Sequence, residues 1–181
     1  IPKVETVADV QQAVAAVDAA ARAAGRIDPL PLHVLLESPA AVHRAFDIAA
    51  QPRVQSISFG LMDFVSAHGG AIPDSAMGFR PDAQSAELGQ FSHPLVVRAK
   101  LDIASACHAH GKVPSHCVVT EFSDTEAMKA ATRKASRDFG YPRMRRLPPS
   151  QIRPISEARA PSTSAVLRDA QNIDAGSRTQ W

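Results

Sequence analysis

Apolar and polar positions along this chain follow two rhythms. Short dense runs, PLHVLLE (31–37), VQSISFG (54–60) and KVPSHCVVTEF (112–122), have the Val, Ile and Phe content of buried strands, and RMRRL (143–147) reads as a shorter one. Between them apolar residues recur at helical spacing. Residues 7–26 are Ala-rich and end near Gly25, and 39–51 start at Ser38 and Pro39. Residues 92–111 carry Ser92 as a cap, Pro94 in the first turn and Gly111 at the end, and 125–140 form another helical stretch. The segment 67–91 is rich in Gly, Pro, Ser and Asp and reads as a long surface excursion. Prolines break 148–162, a last helix is predicted over 163–173, and the tail to Trp181 is polar.

Strand and helix therefore alternate, with crossovers long enough to demand parallel pairing and right-handed connections, which is the α/β class. Four strands follow the opening IPKVET, which itself looks like the tail of a strand. A complete (β/α)₈ barrel takes about 250 residues, so a partial TIM barrel is expected. An open doubly wound sheet is the competing architecture, but its GxGxxG turn after the first strand is absent. The chain lacks a starting Met, and the polypeptide is expected to begin earlier.

With 45% hydrophobic residues in 181, the chain can bury a core. A formal charge of +2 with 5% aromatic residues is too mild a basicity, with too few stacking platforms, to imply nucleic acid. Cys107 and Cys117 form no disulfide framework, so a reduced, cytoplasmic protein is the expectation. No apolar run reaches membrane-spanning length, so no membrane partner is expected.

Two of the predicted strands run into an acid. Glu37 ends the first, and Asp63 stands three residues past Gly60 at the end of the second. In a parallel sheet both side chains belong to the carboxyl edge, where ligands and catalysis sit. A pair of carboxylates with waters retained is what Mg²⁺ prefers, and such an ion acts as a Lewis acid on a carbonyl. The alternative at this point is that each acid is a solvated loop residue or sits at a helix start, as Ser38-Pro39 would allow for Glu37.

The ordered series IPKVET, PLHVLLES, SISFGLMDF and RLPPSQIRPI followed by APS resembles the citrate lyase beta-subunit-like family of the HpcH/HpaI aldolase superfamily, which includes malyl-CoA and citramalyl-CoA lyases. The resemblance implies a TIM barrel to which this chain supplies the end of the fourth strand and strands five to eight. It also implies a C-terminal barrel part over 1–160 and the start of a helical extension over 161–181. In that family the acid ending the first quoted strand and the Asp of the Phe-Gly-x-x-Asp strand ligate Mg²⁺, and they fall on Glu37 and Asp63. The implied reaction is reversible carbon–carbon cleavage of a 3-hydroxyacyl-CoA into an oxo acid and an acyl-CoA. Glu37 and Lys3, the latter matching the family's Pro-Lys motif, would then meet substrate. Small-molecule acyl-CoA or hydroxy-acid substrates and a homo-oligomer are implied as partners.

Departures from the family pattern keep two rivals open: a CoA-independent class II pyruvate aldolase and a degenerate, non-catalytic homologue or subunit. The family's enolate-stabilising arginine would lie upstream of Ile1, so no catalytic residue is assigned within the chain. Where the family reads Ile-His-Pro, this chain has Leu147-Pro148-Pro149, which replaces a polar side chain and a backbone donor. The role of the family's C-terminal Asp is not carried over to Asp169 or Asp174. Among the remaining residues, alternation along a strand predicts a buried Cys117 beside an outward His116. His108 and His110 suit a helix C-terminus, with a third metal ligand missing nearby. Arg143, Arg145 and Arg146 form either a site for a CoA phosphate or a solvated edge. Asp124 and Glu126 read as helix-start residues, and the 67–91 excursion as a surface insertion or a lid.

Overall fold

The computed structural model describes residues 1–78, 88–118, 124–145 and 152–159. In chain order the elements are α1 (Val7–Ala23), β1 (Leu32–Leu36), α2 (Pro39–His43), α3 (Ala45–Ala49), β2 (Val54–Phe59) and α4 (Leu61–Ser66). A 3₁₀ turn (Asp74–Met77), α5 (Pro94–Ala109), β3 (Val113–His116), α6 (Thr125–Arg137), β4 (Arg143–Met144) and α7 (Ile152–Arg159) follow. The strands make one sheet in the order β1-β2-β3-β4, parallel throughout. Ile1–Val4 extends it at the β1 edge, because Leu35 N donates to Ile1 O at 2.9 Å and Val4 N to Leu35 O at 3.3 Å. The opening fragment thus pairs along β1 as the tail of a strand would.

Helices cover one face of the sheet. Val34, Leu36, Ile57 and Phe59 project into that layer and pack with Ile48, Ile103, Ala106 and Cys107 in a single buried cluster. Each large aliphatic side chain fully removed from water there contributes about 1.5–3 kcal/mol. The opposite face is polar. Register places His33 beside Ser56, and Ser58 beside Ser115. His33 joins the two β2 hydroxyls, with Nδ1 2.7 Å from Ser56 Oγ and Nε2 2.8 Å from Ser58 Oγ. Burial holds the His33 imidazole below the ordinary histidine value, and the Arg145 and Arg143 charges add to that effect.

Local sequence explains most element boundaries. Thr6 and Asp9 form a reciprocal capping box at the start of α1. Ser38 Oγ accepts from Ala41 N at 3.0 Å, and Pro39 occupies the first turn of α2. Three expectations change. The helix expected over 39–51 divides at Arg44, where the backbone turns to φ −98°, ψ 12°, and α3 is re-aimed to bury Ala45, Ile48 and Ala49. Ser92 does not cap α5, because its hydroxyl accepts from Gly89 N at 3.0 Å and shapes the preceding turn instead. The proline-broken stretch contains the helix α7, with Pro154 in the first turn, where no intrahelical N–H bond is lost. The expected helix over 163–173, Leu147, Pro148, Arg146, Asp169, Asp174 and the extension over 161–181 lie outside the described residues.

Candidate active site

Two short connections bring the site together at the carboxyl edge of the sheet. Glu37 directly follows β1, Gly60 directly follows β2, and Asp63 stands in the first turn of α4. Glu37 and Asp63 line one cavity of about 130 Å³, together with Leu35, Phe59, Leu61, Met77 and Arg145 among others. Glu37 is buried, with 8% of its surface exposed, whereas Asp63 is open to solvent. A solvated loop acid and a helix cap are thus both excluded for Glu37: Ser38 takes the capping position, and the Glu37 carboxylate points elsewhere.

Lys3 holds it. The Lys3 backbone N–H donates to Glu37 Oε2 at 2.8 Å. That turn puts Lys3 at φ 53°, the one non-glycine residue in the left-handed region among those described. Such backbone is disfavoured for a side chain bearing Cβ and persists where surrounding bonds over-determine it. The Lys3 ammonium reaches 3.9 Å from Asp63 Oδ1, so a single residue touches both acids. Gly60 completes the cradle: a Cβ there would collide with the Glu37 side chain, lying 2.8 Å from Oε1.

Oxygen donors of this kind suit a hard cation. No group of three or more His, Cys, Asp or Glu side chains able to hold a metal occurs among the described residues. Two carboxylates with open positions beside them match Mg²⁺, which keeps several waters and takes substrate oxygens in place of a full protein cage.

A second polar cluster lies behind the sheet and was not anticipated. Lys100 is wholly buried on α5, its Nζ donating to Gln90 O at 2.9 Å and to Gln90 Oε1 at 3.0 Å, with the Phe91 ring centroid 4.0 Å away. Burial lowers its pKa to about 8, partly opposed by the nearby Cys117. Gln90 in turn donates from Nε2 to Met77 O at 3.1 Å and so fixes a wall of the cavity. The sequence carried one signal for this cluster: Lys100 interrupts the apolar stripe Val96–Ala99–Ile103. His116 belongs here too, and the expectation of an outward, exposed His116 is overturned. It is fully buried, stacked on Phe91 with centroids 5.3 Å apart and edge-on to Tyr141 at 5.2 Å, because those rings and α5, rather than water, cover the face it points to. β3 ends at His116, so strict alternation stops there, and Cys117 lies beside the ring with Sγ 3.6 Å from Nδ1. Desolvation holds the imidazole well below its ordinary value and raises the thiol, so the pair is not an activated nucleophile and base.

The other singled-out residues do structural work. Asp124 caps α6, accepting from Ala127 N at 2.8 Å, and Glu126 pairs with Lys129. His108 Nε2 lies 2.8 Å from Gly140 O. Within the 67–91 stretch, residues 67–78 and 88–91 are described, and Gln90 N closes on Gly78 O at 2.8 Å. No described helix is long and apolar enough to cross a membrane.

A parallel sheet covered by helices on one face, with its cavity at the carboxyl edge of the strands, is the arrangement of α/β barrel enzymes. The chain belongs to the HpcH/HpaI aldolase/citrate lyase family, whose model matches residues 1–135. It is 34% identical over 169 residues to L-malyl-CoA/beta-methylmalyl-CoA lyase of Cereibacter sphaeroides, covering 92% of this chain and 52% of that protein. The same level, 34% over 170 residues, is found with the enzyme of that name from Rhodobacter capsulatus. The crystal structure of a citrate lyase from Burkholderia xenovorans LB400 superposes with a TM-score of 0.88 at 45% identity, over 100% of this chain and 54% of that one. The citrate lyase beta subunit of M. tuberculosis, solved with oxaloacetate and magnesium, shares the fold at a TM-score of 0.66 and 21% identity. The chain spans about half the length of the curated relatives it matches. Its four strands and flanking helices are accordingly part of a (β/α)₈ barrel.

Proposed function

We propose that this chain carries the metal-binding half of a Mg²⁺-dependent carbon–carbon lyase, which cleaves a 3-hydroxyacyl-CoA of the malyl, citramalyl or citryl type into an oxo acid and an acyl-CoA. The observation that carries the reading is the meeting of Glu37 and Asp63 in one cavity at the ends of adjacent parallel strands. The malyl-CoA lyase relatives support the reaction class, the resemblance supports a homo-oligomer, and the free thiols of Cys107 and Cys117 support a reduced, cytoplasmic setting.

A bound Mg²⁺ would supply Lewis-acid polarisation of the substrate oxygens. Glu37 and Asp63 would hold it, and the chain's remaining residues set the stage. The Lys3 N–H bond and the clearance at Gly60 fix Glu37 before any ligand arrives, which removes an ordering cost from binding. Leu35, Phe59, Leu61 and Met77 exclude water from one side of the cavity, so charge developing on a substrate oxygen is poorly screened and more strongly stabilised by fixed cations. The Lys3 ammonium stands at the rim as one such cation.

In the full-length protein, Asp63→Asn and Glu37→Gln should each weaken Mg²⁺ binding by about 100-fold in calorimetry and abolish metal-dependent thioester cleavage. Unchanged Mg²⁺ affinity and turnover in both variants would refute the assignment. Cleavage of a free hydroxy acid with no need for CoA would move the protein to the aldolase reading.

A further inference from the structure

We propose that Arg145 is a specificity-determining residue that gives the metal cavity a second anion position and selects a dicarboxylic oxo or hydroxy acid over a monocarboxylic one. The proposal rests on the metal reading of Glu37 and Asp63, and it narrows the proposed thioester to the citryl type, the one of the three whose oxo acid is dicarboxylic.

Its first support is position. Register places Arg143 beside Ser115 and Met144 beside His116, and Arg145 N donates to His116 O at 3.0 Å. The chain therefore stays in step with β3 for one residue past β4. Alternation then turns Arg145 to the polar face shared by Ser115 and Ser58. Arg145 lines the same cavity as Glu37 and Asp63.

The second support is charge. Glu37 and Asp63 bring two negative charges, which a divalent cation cancels. Lys3 and Arg145 then remain as positive charges that no further acid among the described residues lining the cavity of about 130 Å³ answers. A monoanion chelated at the metal answers one of them, and a dianion answers both.

The third is the absence of another partner among the described residues. Arg53 pairs with Asp18, Arg98 with Asp102 and Arg153 with Glu157, but no acidic side chain among those described pairs with Arg145. A guanidinium is also the group suited to this task, because its planar fork meets a carboxylate with two parallel hydrogen bonds.

The test compares two stable 2-hydroxy acids that differ by one carboxylate, malate and lactate, binding to full-length protein saturated with Mg²⁺. Wild type is expected to prefer malate at least tenfold by calorimetry. Arg145→Met should lose that preference through a fall in malate affinity, with lactate unchanged within about twofold and Mg²⁺ affinity unchanged or tighter. Arg145→Lys should retain an intermediate preference, which also decides the matter if the methionine variant fails to fold. A malate preference that survives in both variants, or a loss of lactate binding equal to that of malate, would overturn the proposal and leave Arg145 as a cation of the barrel interior. The two readings fail separately. If Asp63→Asn leaves Mg²⁺ binding intact, the metal assignment is wrong. If Mg²⁺ binding depends on Asp63 while the malate preference ignores Arg145, only the present inference falls.

Discussion

Gly60 sits against the Glu37 side chain with no room for another carbon: a Cβ would lie 2.8 Å from Oε1 and 3.0 Å from Cδ. The glycine's backbone, at φ −94°, is open to any residue, so the requirement is clearance and not conformation. Gly60→Ala should therefore displace Glu37 from its bond to Lys3 N. The expected result is a loss of about 1–3 kcal/mol in stability and at least a tenfold fall in Mg²⁺ affinity, read by thermal unfolding and calorimetry. An alanine variant that binds Mg²⁺ as wild type does would show that Glu37 has freedom this packing denies it.

Lys3 acts through two different groups, and a side-chain truncation separates them. Lys3→Ala keeps the N–H that holds Glu37 and removes the ammonium 3.9 Å from Asp63. That ion pair is solvent-exposed, so unfolding should change by less than about 1 kcal/mol. Mg²⁺ should bind about threefold more tightly once a competing cation is gone. A large loss of Mg²⁺ affinity would mean that the side chain, and not the backbone, organises the site.

The buried Lys100 makes stability pH-dependent on the alkaline side. Its pKa falls from 10.5 in the unfolded chain to about 8 in the fold. Between those values the unfolded chain binds the extra proton, so the penalty for burying the charge shrinks as pH rises through that window, by about 3 kcal/mol in full. Cys107, pushed up to about 12 by burial, and Cys117 oppose this above pH 9, since the fold disfavours their thiolates. The clean readout is the difference between wild type and Lys100→Met from pH 7.5 to 9. Wild type should gain stability relative to the variant as pH rises, and a flat difference would contradict the buried charge.

His116 governs the acid side. Its pKa lies well below 6.5 because burial and the Lys100 charge both oppose protonation. Below pH 6.5 the unfolded chain takes up a proton that the fold refuses, so stability falls with pH by up to about 1.4 kcal/mol for each pH unit. His33, also lowered, adds to the same limb. His116→Gln should flatten the limb relative to wild type between pH 6.5 and 5 in chemical denaturation. An identical slope in both proteins would place the effect elsewhere.

The strands, the helices between them and the two acids at the strand ends were legible because each rests on a local rule. Val and Ile runs make strands, Ser38-Pro39 starts a helix, and a parallel sheet turns strand-end residues such as Glu37 and Asp63 toward one edge. The break at Arg44 and the helix α7 were not legible, because one depends on burying Ile48 and the other on docking against α6, where Lys129 meets Glu157 at 3.2 Å.

What the sequence determined by itself is the order of elements, their parallel pairing and the end of the sheet at which the acids stand, since these follow from periodicity and chain connectivity. Only the tertiary structure decided what surrounds those residues. Lys3 is 34 positions from Glu37, and Lys100 is 10 from Gln90. His116 is buried because Phe91, Tyr141 and α5 cover the face it points to. Contacts across such separations depend on how elements pack, and neither spacing nor residue type along the chain encodes that distance.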